Sequence, residues 1–270
     1  MPLFAEPPQL LPAFVHAGLR LGTASWNYRG WQGLVYEQSG LRAYAAHPLF
    51  RCVALDRNFY SELSEQAYHG YADQVPPDFR FLLKAPRALV DPASPHYLDA
   101  EWAERFFLAP ARRGLGDKFG VAHFFFPPGR HIGLMDFFAR LLQRGDSLSY
   151  EVRQHLECPL LGLTRAWNVF PGIDWPQPES GPLRIVRWTL RPKAPESDWN
   201  LKTAARRYLP FAEIRDPDLD TRTRVARQVL QWLDQGMPVW VIVNNKAEGC
   251  APLTLRLLTE ELAACKRNFD

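Results

Sequence analysis

Cysteine and histidine are scarce in this 270-residue sequence, and neither is spaced as a metal site requires. The seven histidines include no His-x-His or His-x-x-x-His pair, and no two cysteines form a C-x-x-C pair. These absences predict no metal site, no cofactor and no disulfide framework, and scattered thiols are typical of a reduced, cytoplasmic protein. His123 lies within an apolar run, and we interpret it as a core histidine. The four cysteines are Cys52, Cys158, Cys250 and Cys265.

An excess of one charge and long apolar runs are also lacking. The formal net charge is +3, which excludes a strongly basic nucleic-acid scaffold but is compatible with a local cationic pocket. No stretch of about 18 uncharged apolar residues occurs, so the sequence predicts no membrane span. The first eight residues have neither a basic segment nor a continuous apolar core, and we expect no signal peptide.

A glycine-rich fingerprint is missing after the first predicted strand, which disfavours an open dinucleotide-binding sheet. Instead, eight strand-like runs alternate with helical segments, without a shift in composition. This pattern predicts an α/β fold, a single (β/α)8 TIM-like barrel over residues 19–270, after an irregular, proline-rich arm over residues 1–18. The predicted strands are 19–24, 52–55, 79–84, 121–126, 148–152, a sixth at 161–164 or 166–170, 183–188 and 239–245.

The helical segments between these strands follow from apolar periodicity. Little chain separates strand five from the sixth, so we predict an irregular or missing helix there. Ser61 is the predicted N-cap of the second helix, and Pro252 suits the first turn of the last one. The predicted helices are centred on 41–45 and cover 61–75, 100–108, 132–144, 221–233 and 252–265.

Polar side chains end most of the predicted strands. In strand five, alternation places Ser149, Glu151 and Arg153 on one face. In a parallel strand covered by helices that face points inward, where charges are costly unless they are paired or used. Active sites of such barrels lie at the carboxyl ends of the strands, so we expect a site there. The polar strand ends are Ser25, Asp56, Asn58, Lys84, Glu151, Arg153, Asn168, Arg187, Asn244 and Asn245.

The charged members of this set have alternative roles. Glu151 is either a general base or part of a buried ion network, with Lys84 or Arg187, that only braces the barrel. Because Lys84, Arg153 and Arg187 outnumber Asp56 and Glu151, the set favours an anionic ligand such as a phosphate or carboxylate. A Schiff-base role for Lys84 is a further alternative.

The uncharged members also have two interpretations. Asn244 and Asn245 either bind phosphate at the start of the last helix or satisfy the backbone of a turn. Four aromatic side chains after the first two strands either form a stacking surface for a sugar or base or pack within the protein. They are Trp26, Tyr28, Trp31 and Tyr60.

Blocks of residues along most of the chain match the motifs of one known family in order. They are Gly22, Thr23, Trp26, Tyr28, Gly30 and Trp31; Phe50, Val53, Phe59 and Tyr60; Pro77, Phe79, Arg80, Phe81 and Lys84-Ala85-Pro86-Arg87; then Pro127, Pro128, Glu151, Arg153, Arg187, Asn244 and Asn245. On these residues the sequence resembles the YecE-like family, also called domain of unknown function seventy-two. The resemblance implies a TIM-barrel-like fold and does not imply an established activity.

Several positions depart from the family pattern. The family's strand-two Glu is Ala54 here, the Asn that follows it is Asp56, and its strand-four Gln falls on Phe125. The Arg-x-His-Gly motif after strand seven is Arg187-Trp188-Thr189-Leu190. The departures indicate a divergent member in which Asp56 replaces the family's Glu from the same strand face, or in which the activity that needed the Glu is lost.

Three hypotheses about function remain open. The first is a metal-independent acid–base enzyme for a small anionic or phosphorylated substrate. The second is a non-catalytic module that binds an anion or nucleic acid, and the third is an inactive relative that keeps the barrel. The sequence indicates no oligomeric state. In the first hypothesis the catalytic residues are Glu151, Asp56 and Lys84, and the substrate-binding residues are Arg153, Arg187, Asn58, Tyr60, Asn244, Asn245, Trp26 and Tyr28.

Overall fold

A parallel β-sheet surrounded by helices forms the protein. The computed structural model describes residues 10–127, 129–145, 147–151, 162–169, 181–189 and 206–267. Its strands are β1 Leu19–Thr23, β2 Cys52–Leu55, β3 Arg80–Lys84, β4 Phe119–Phe125, β5 Leu148–Glu151, β6 Leu163–Arg165, β7 Trp167–Val169, β8 Arg184–Trp188 and β9 Val239–Val243. They follow one another in the order β6-β5-β4-β3-β2-β1-β9-β8-β7.

Helices connect the strands. In the described residues they are α1 Leu41–Ala46, α2 Glu65–Ala72, α3 Arg87–Val90, α4 Ala100–Ala103, α5 Ala109–Leu115, α6 Leu134–Leu142, α7 Leu219–Asp234 and α8 Ala251–Arg267. A π-helical segment, Glu104–Leu108, joins α4 to α5. The helix predicted at 100–108 therefore continues to residue 115.

The sheet is nearly closed into a barrel by one bent segment of chain. Strands β6 and β7 lie at opposite ends of the sheet order although only Ala166 separates them in sequence. Strand β6 pairs with β5, and β7 pairs with β8, both in parallel. Both segments considered for the sixth strand are thus extended, and together they occupy one of eight positions around the barrel. The predicted TIM-like barrel is confirmed.

Two apolar layers hold the barrel together. The larger layer lies between strands and helices, and the smaller one fills the interior with side chains of the opposite strand parity. The interior residues are Cys52, Ala54, Leu82, Val121, Ala166, Leu183, Ile185, Trp240 and Ile242. Trp240 is the largest of them, and its ring packs where Gly120 of β4 has no side chain. The β3–β4 register shifts at this point, between Phe81 and Leu82.

The second helix, predicted over residues 61–75, begins later than predicted. Helix α2 begins at Glu65, and its N-cap is Ser64, whose side chain accepts a hydrogen bond from the amide of Ala67 at 3.2 Å. Ser61 lies in the preceding turn, where its amide donates to the carbonyl of Arg57. Residues 62–64 are not helical, so the hydroxyl of Ser61 is not adjacent to the first turn of α2 and does not cap it.

Residues 10–18 have no regular secondary structure. Leu10 is nevertheless buried, and the amide of Ala13 donates to the hydroxyl of Thr259 in α8 at 3.0 Å. The irregular or missing helix that we predicted after strand five lies outside the described residues. Among the helices of the described ranges, none has the length and apolar character needed to cross a membrane.

Candidate functional site

Three neighbouring strands bring polar side chains together at their carboxyl ends. Lys84, the last residue of β3, pairs in register with His123 of β4, which pairs with Ser149 of β5. Alternation along β5 places Glu151 on the same inward face, one step nearer the strand end. Arg187 has the same parity as the interior residues of β8 and contacts Glu151. Four strands therefore deliver these groups to one end of the barrel.

Glu151 and Arg187 form a buried ion pair. Glu151 is only 4% exposed and the Arg187 side chain 16%, and Nη1 of Arg187 donates a hydrogen bond to Oε2 of Glu151. Burial, the largest single effect, raises the pKa of Glu151, but the interactions with Arg187 and His123 together outweigh burial and lower the pKa to about 2. Glu151 is therefore an ionised carboxylate near neutral pH and a weak base.

His123 lies beneath this ion pair and is almost fully buried. Its Nε2 is 3.2 Å from Nη1 of Arg187, and its Nδ1 is 3.0 Å from the hydroxyl of Ser149. Nε2 also lies 3.5 Å from Oε2 of Glu151, so it either accepts from Arg187 or donates to Glu151, according to which ring nitrogen carries the proton. Burial and the charges of Arg187 and Lys84 lower the pKa of His123 despite the neighbouring Glu151. The ring is thus neutral and fixes the orientation of Arg187.

Lys84 is the cation without a partner in this group. Within the described residues its ammonium makes no hydrogen bond or ion pair. It lies 4.1 Å from the ring centroid of Phe59 and 5.7 Å from that of Phe125. Burial lowers its pKa, the charge of Arg187 adds to this, and Asp56 and Glu151 oppose it. A half-buried ammonium over aromatic faces can receive an anion without first losing a salt bridge.

Asp56 connects this group to the first and last strands. It follows β2, is half-buried and has no side-chain cap hydrogen bond. Its charge acts on Lys84 and also on Tyr28. Burial raises the pKa of Tyr28, the charge of Asp56 adds to this, and the neighbouring side chains of Asn245 and Ser25 oppose it. Five predicted site residues, Asp56, Lys84, Glu151, Arg187 and Tyr28, therefore share one electrostatic environment.

Two buried amides have unpartnered oxygen atoms near the strand ends. Asn58 is 1% exposed, and its Nδ2 donates to the hydroxyl of Tyr68 at 2.9 Å, while its Oδ1 has no partner. Oδ1 of Asn168 and Nε of Arg187, on paired residues of β7 and β8, are also without partners in the described part of the chain. Buried polar atoms of this kind are costly, and ligand contacts at functional sites commonly explain them.

The two asparagines after β9 organise the turn into α8. Oδ1 of Asn244 accepts from the amide of Lys246 at 3.0 Å, and Oδ1 of Asn245 accepts from the amide of Ala251 at 2.8 Å. Asn245 therefore satisfies the first amide of α8. These contacts account for the oxygen of each side chain, and a role for either residue toward a substrate stays a prediction.

The remaining predicted residues differ in exposure. Trp26 packs edge-on against Tyr71 at 5.8 Å, and Tyr28 contacts Trp31 at 4.7 Å. Tyr60 is 80% exposed and touches the ring of Phe59. Their roles toward a ligand stay predictions. Arg153 lies outside the described residues.

Sequence reasoning missed His123 and Ser149 as site residues. The apolar flanks of His123 suggested an isolated core histidine. A parity argument could have found it, because Val121, His123 and Phe125 alternate on one face of β4, as Ser149 and Glu151 do on β5. The described residues contain no group of three or more His, Cys, Asp or Glu side chains placed to hold a metal ion.

A protein family and several solved structures resemble this chain. A family model described as "Protein of unknown function DUF72" matches residues 20–156. A DUF72 family protein from Enterococcus faecalis has a similar structure, with a TM-score of 0.67, 16% identity and coverage of 90% of this chain and 95% of that chain. A DUF72 family protein from Thermotoga maritima also has a similar structure, with a TM-score of 0.67, 18% identity and coverage of 90% of this chain and 98% of that chain. At these identities the likeness concerns the fold alone. No curated protein matches the sequence.

Proposed function

The chain belongs to the DUF72 family of proteins of unknown function, and from its strand ends we propose that it is an acid–base enzyme. Its substrate is a small anionic or phosphorylated compound bound at the carboxyl ends of the barrel strands. The observation that carries this proposal is Lys84, a half-buried ammonium with no hydrogen bond or ion pair among the described residues. An ammonium that is not engaged in a salt bridge is available for a charge-assisted hydrogen bond with an anion.

The roles of the two carboxylates differ in this proposal. Glu151 is a poor proton acceptor because its pKa is about 2, and a general base works best with a pKa near the working pH. Glu151 instead neutralises Arg187 and holds its guanidinium in place. Asp56 acts on Lys84 through its charge and is the carboxylate left to exchange a proton with the substrate.

Lys84 serves as both anion contact and proton donor or acceptor. Burial and Arg187 lower its pKa, which brings it closer to neutral pH, where proton transfer is efficient. Arg187 presents its remaining N–H groups to the anion, and Nε of Arg187 has no partner within the described ranges. Arg153, Asn58, Asn244 and Asn245 would orient the substrate, and Trp26, Tyr28 and Tyr60 would contact its uncharged part.

One observation favours a second candidate, a non-catalytic anion-binding protein. The charge of Glu151 is already matched by Arg187, which is what a purely structural ion pair would show. In that case Lys84 holds the anion and no proton is transferred. Binding and turnover must therefore be measured separately.

The first experiment measures phosphate binding by isothermal titration calorimetry. Inorganic phosphate and phenyl phosphate are titrated into the wild-type protein, Lys84→Met and Lys118→Met. Lys118 is the matched control because its ammonium donates to the carbonyls of Ala72 and Val75, before β4 begins. We expect Lys84→Met to weaken binding by about tenfold or more, since a charge-assisted contact is lost, and Lys118→Met to bind like the wild type. Equal affinities for all three proteins would refute the site.

The second experiment measures turnover of a panel of sugar phosphates, nucleotides and small carboxylates. Turnover that disappears in Lys84→Met and Asp56→Asn supports the enzyme. If binding depends on Lys84 but no compound is turned over, the protein is a non-catalytic anion-binding protein.

A further inference from the structure

A cavity lies at the opposite, amino-terminal end of the barrel strands. Its volume is about 280 Å³, just below the range of about 300–1,000 Å³ typical of small-molecule sites. One side is formed by residues of the irregular segment 12–17, and the other by the start of β1 and the residues around Leu49. The cavity contains none of the residues discussed for the strand-end site.

Arginines dominate the polar side of this cavity. Arg20 and Arg51 line it together with Asp78. Nη1 of Arg20 donates to the carbonyl of Asp78 at 2.6 Å, and Nη1 of Arg51 forms an ion pair with the Asp78 carboxylate. Arg80, at the start of β3, donates to the carbonyls of Pro77 and Phe79. The cavity lining thus carries two guanidinium groups and one carboxylate, an excess of one positive charge. Arg80 does not line the cavity, but its charge acts on Arg20.

The excess charge is not removed by the existing contacts. The Arg51 and Asp78 side chains are 49% and 53% exposed, and ion pairs this exposed contribute little. The pKa of Arg20 is lowered chiefly by burial and less by the like charges of Arg80 and Arg51, while Cys52 and Asp78 oppose them. An added anion would relieve this repulsion, and guanidinium groups suit a planar carboxylate because they donate two parallel hydrogen bonds.

The other side of the cavity is mostly apolar, with His16 as its polar member. Phe14 and Val15 line it from the irregular segment, Leu19 from β1 and Leu49 from the loop before β2. This segment is held in place by the hydrogen bond between Ala13 and Thr259 and by Lys266, whose ammonium lies 5.8 Å from the Phe14 ring centroid. The cavity therefore combines an anchored apolar wall with a cationic one.

We infer that this cavity is a second ligand site, which binds a small carboxylate with an apolar body. The carboxylate lies against Arg20 and Arg51, and the apolar body lies against Phe14, Val15 and Leu49. Inorganic anions lack the apolar body and neutral compounds lack the charge, so both bind more weakly.

Ligand-observed NMR and calorimetry with three probes test this inference. Hexanoate has the charge and the apolar chain, acetate has only the charge, and 1-hexanol has only the chain. We expect hexanoate to bind at least about tenfold more tightly than either of the others, since each lacks one set of contacts. Binding should also protect the amides of residues 10–18 from hydrogen exchange, because the ligand contacts that segment.

Three variants separate a ligand site from a structural cluster. Arg51→Met should weaken hexanoate binding by about ten- to a hundredfold, the loss expected for a hydrogen bond to a charged group. Arg113→Met is the matched control, because Arg113 forms a comparably exposed ion pair with Glu65 and does not line the cavity. Lys84→Met should also bind hexanoate normally, which makes the outcome independent of the proposed enzyme site. Equal binding of hexanoate and 1-hexanol, or no effect of Arg51→Met, would overturn the inference.

Discussion

Glu151 is both nearly inaccessible and ionised, and Arg187 makes that combination stable. Moving a carboxylate out of water costs several kcal/mol, and the guanidinium of Arg187 repays this through a direct contact. His123 contributes through its Nε2, which lies 3.2 Å from Nη1 of Arg187 and 3.5 Å from Oε2 of Glu151. The three side chains therefore form one rigid unit beneath the strand ends, and Lys84 lies beside it without a partner of its own in the described residues.

This unit predicts a specific dependence of stability on pH. The pKa of Glu151 falls from 4.5 to about 2 on folding, so the folded state favours the carboxylate. The ion pair therefore stabilises the fold fully above pH 4.5, and this contribution is lost as the pH falls through 2. We expect the free energy of unfolding, measured with urea, to decrease over that window in the wild type and to vary less in Glu151→Gln.

Glu151→Gln should also cost about 3–5 kcal/mol at pH 7, because it leaves the charge of Arg187 buried without a partner. The control is Glu65→Gln, which breaks the exposed pair with Arg113 and should have a much smaller effect, because exposed ion pairs contribute little. An unchanged pH profile in Glu151→Gln would show that another group governs acid unfolding.

At the scale of elements, the close packing of helices α2 and α5 depends on Gly114 of α5. A side chain at Gly114 would lie 2.4 Å from Cβ of Tyr68 and 2.6 Å from the carbonyl of Glu65. The glycine thus lets the backbones of the two helices approach. Gly70 lies in α2 as well, but a side chain there would meet no atom within 4 Å.

Replacing each of these two glycines with alanine should change the stability of the protein in opposite directions. Gly114→Ala should destabilise the protein by about 1–3 kcal/mol, because the helices must separate. Gly70→Ala should stabilise it by about 0.5–1 kcal/mol, since alanine loses less entropy on forming a helix. Urea midpoints of both variants test this. A loss of the same size in both would mean that helix propensity, rather than the contact, governs position 114.

The ends of helices and strands depend on neighbouring structure as well as on the local sequence. Ser61 and Ser64 have the same capping chemistry, but Ser61 belongs to the preceding turn and only Ser64 lies next to the first turn of α2. The segment Leu163–Val169 likewise depends on structure outside itself. Its two halves have the composition of strands, but their pairing with β5 and β8 depends on barrel closure.

At the scale of the whole molecule, Trp240 separates the two ends of the barrel. Its ring packs against Gly120, where an added side chain would lie 2.3 Å from the indole and 2.7 Å from the carbonyl of Phe81. Below it, the guanidinium of Arg20 lies 5.9 Å from the indole centroid. The strand-end site and the amino-terminal cavity are therefore on opposite sides of a filled interior.

A double-mutant cycle tests this packing. Gly120→Ala should cost about 1–3 kcal/mol by overpacking the interior. Trp240→Leu should be destabilising because it creates a cavity. The double variant should be more stable than the sum of the two predicts, since leucine vacates part of the space that the new methyl group needs. Strict additivity of the urea-derived free energies would show that Gly120 and Trp240 are not in contact.

The sequence by itself determined the class of fold and the end of the barrel where polar groups gather. The alternation of strands and helices predicts a parallel barrel, and the alternation of side chains along each strand predicts that Glu151 and Lys84 point into it. Both inferences depend on local periodicity, which short segments carry without help from distant parts of the chain.

Only the tertiary structure decided which of those groups meet. Arg187 is 36 residues from Glu151 and His123 is 28, and barrel closure sets both contacts. The structure pairs Glu151 with Arg187 rather than Lys84, and it brings Arg20, Arg51 and Asp78 together beside residues of the amino-terminal arm. Such contacts depend on distances across the barrel and on burial, and neither quantity is encoded in the spacing of residues along the chain.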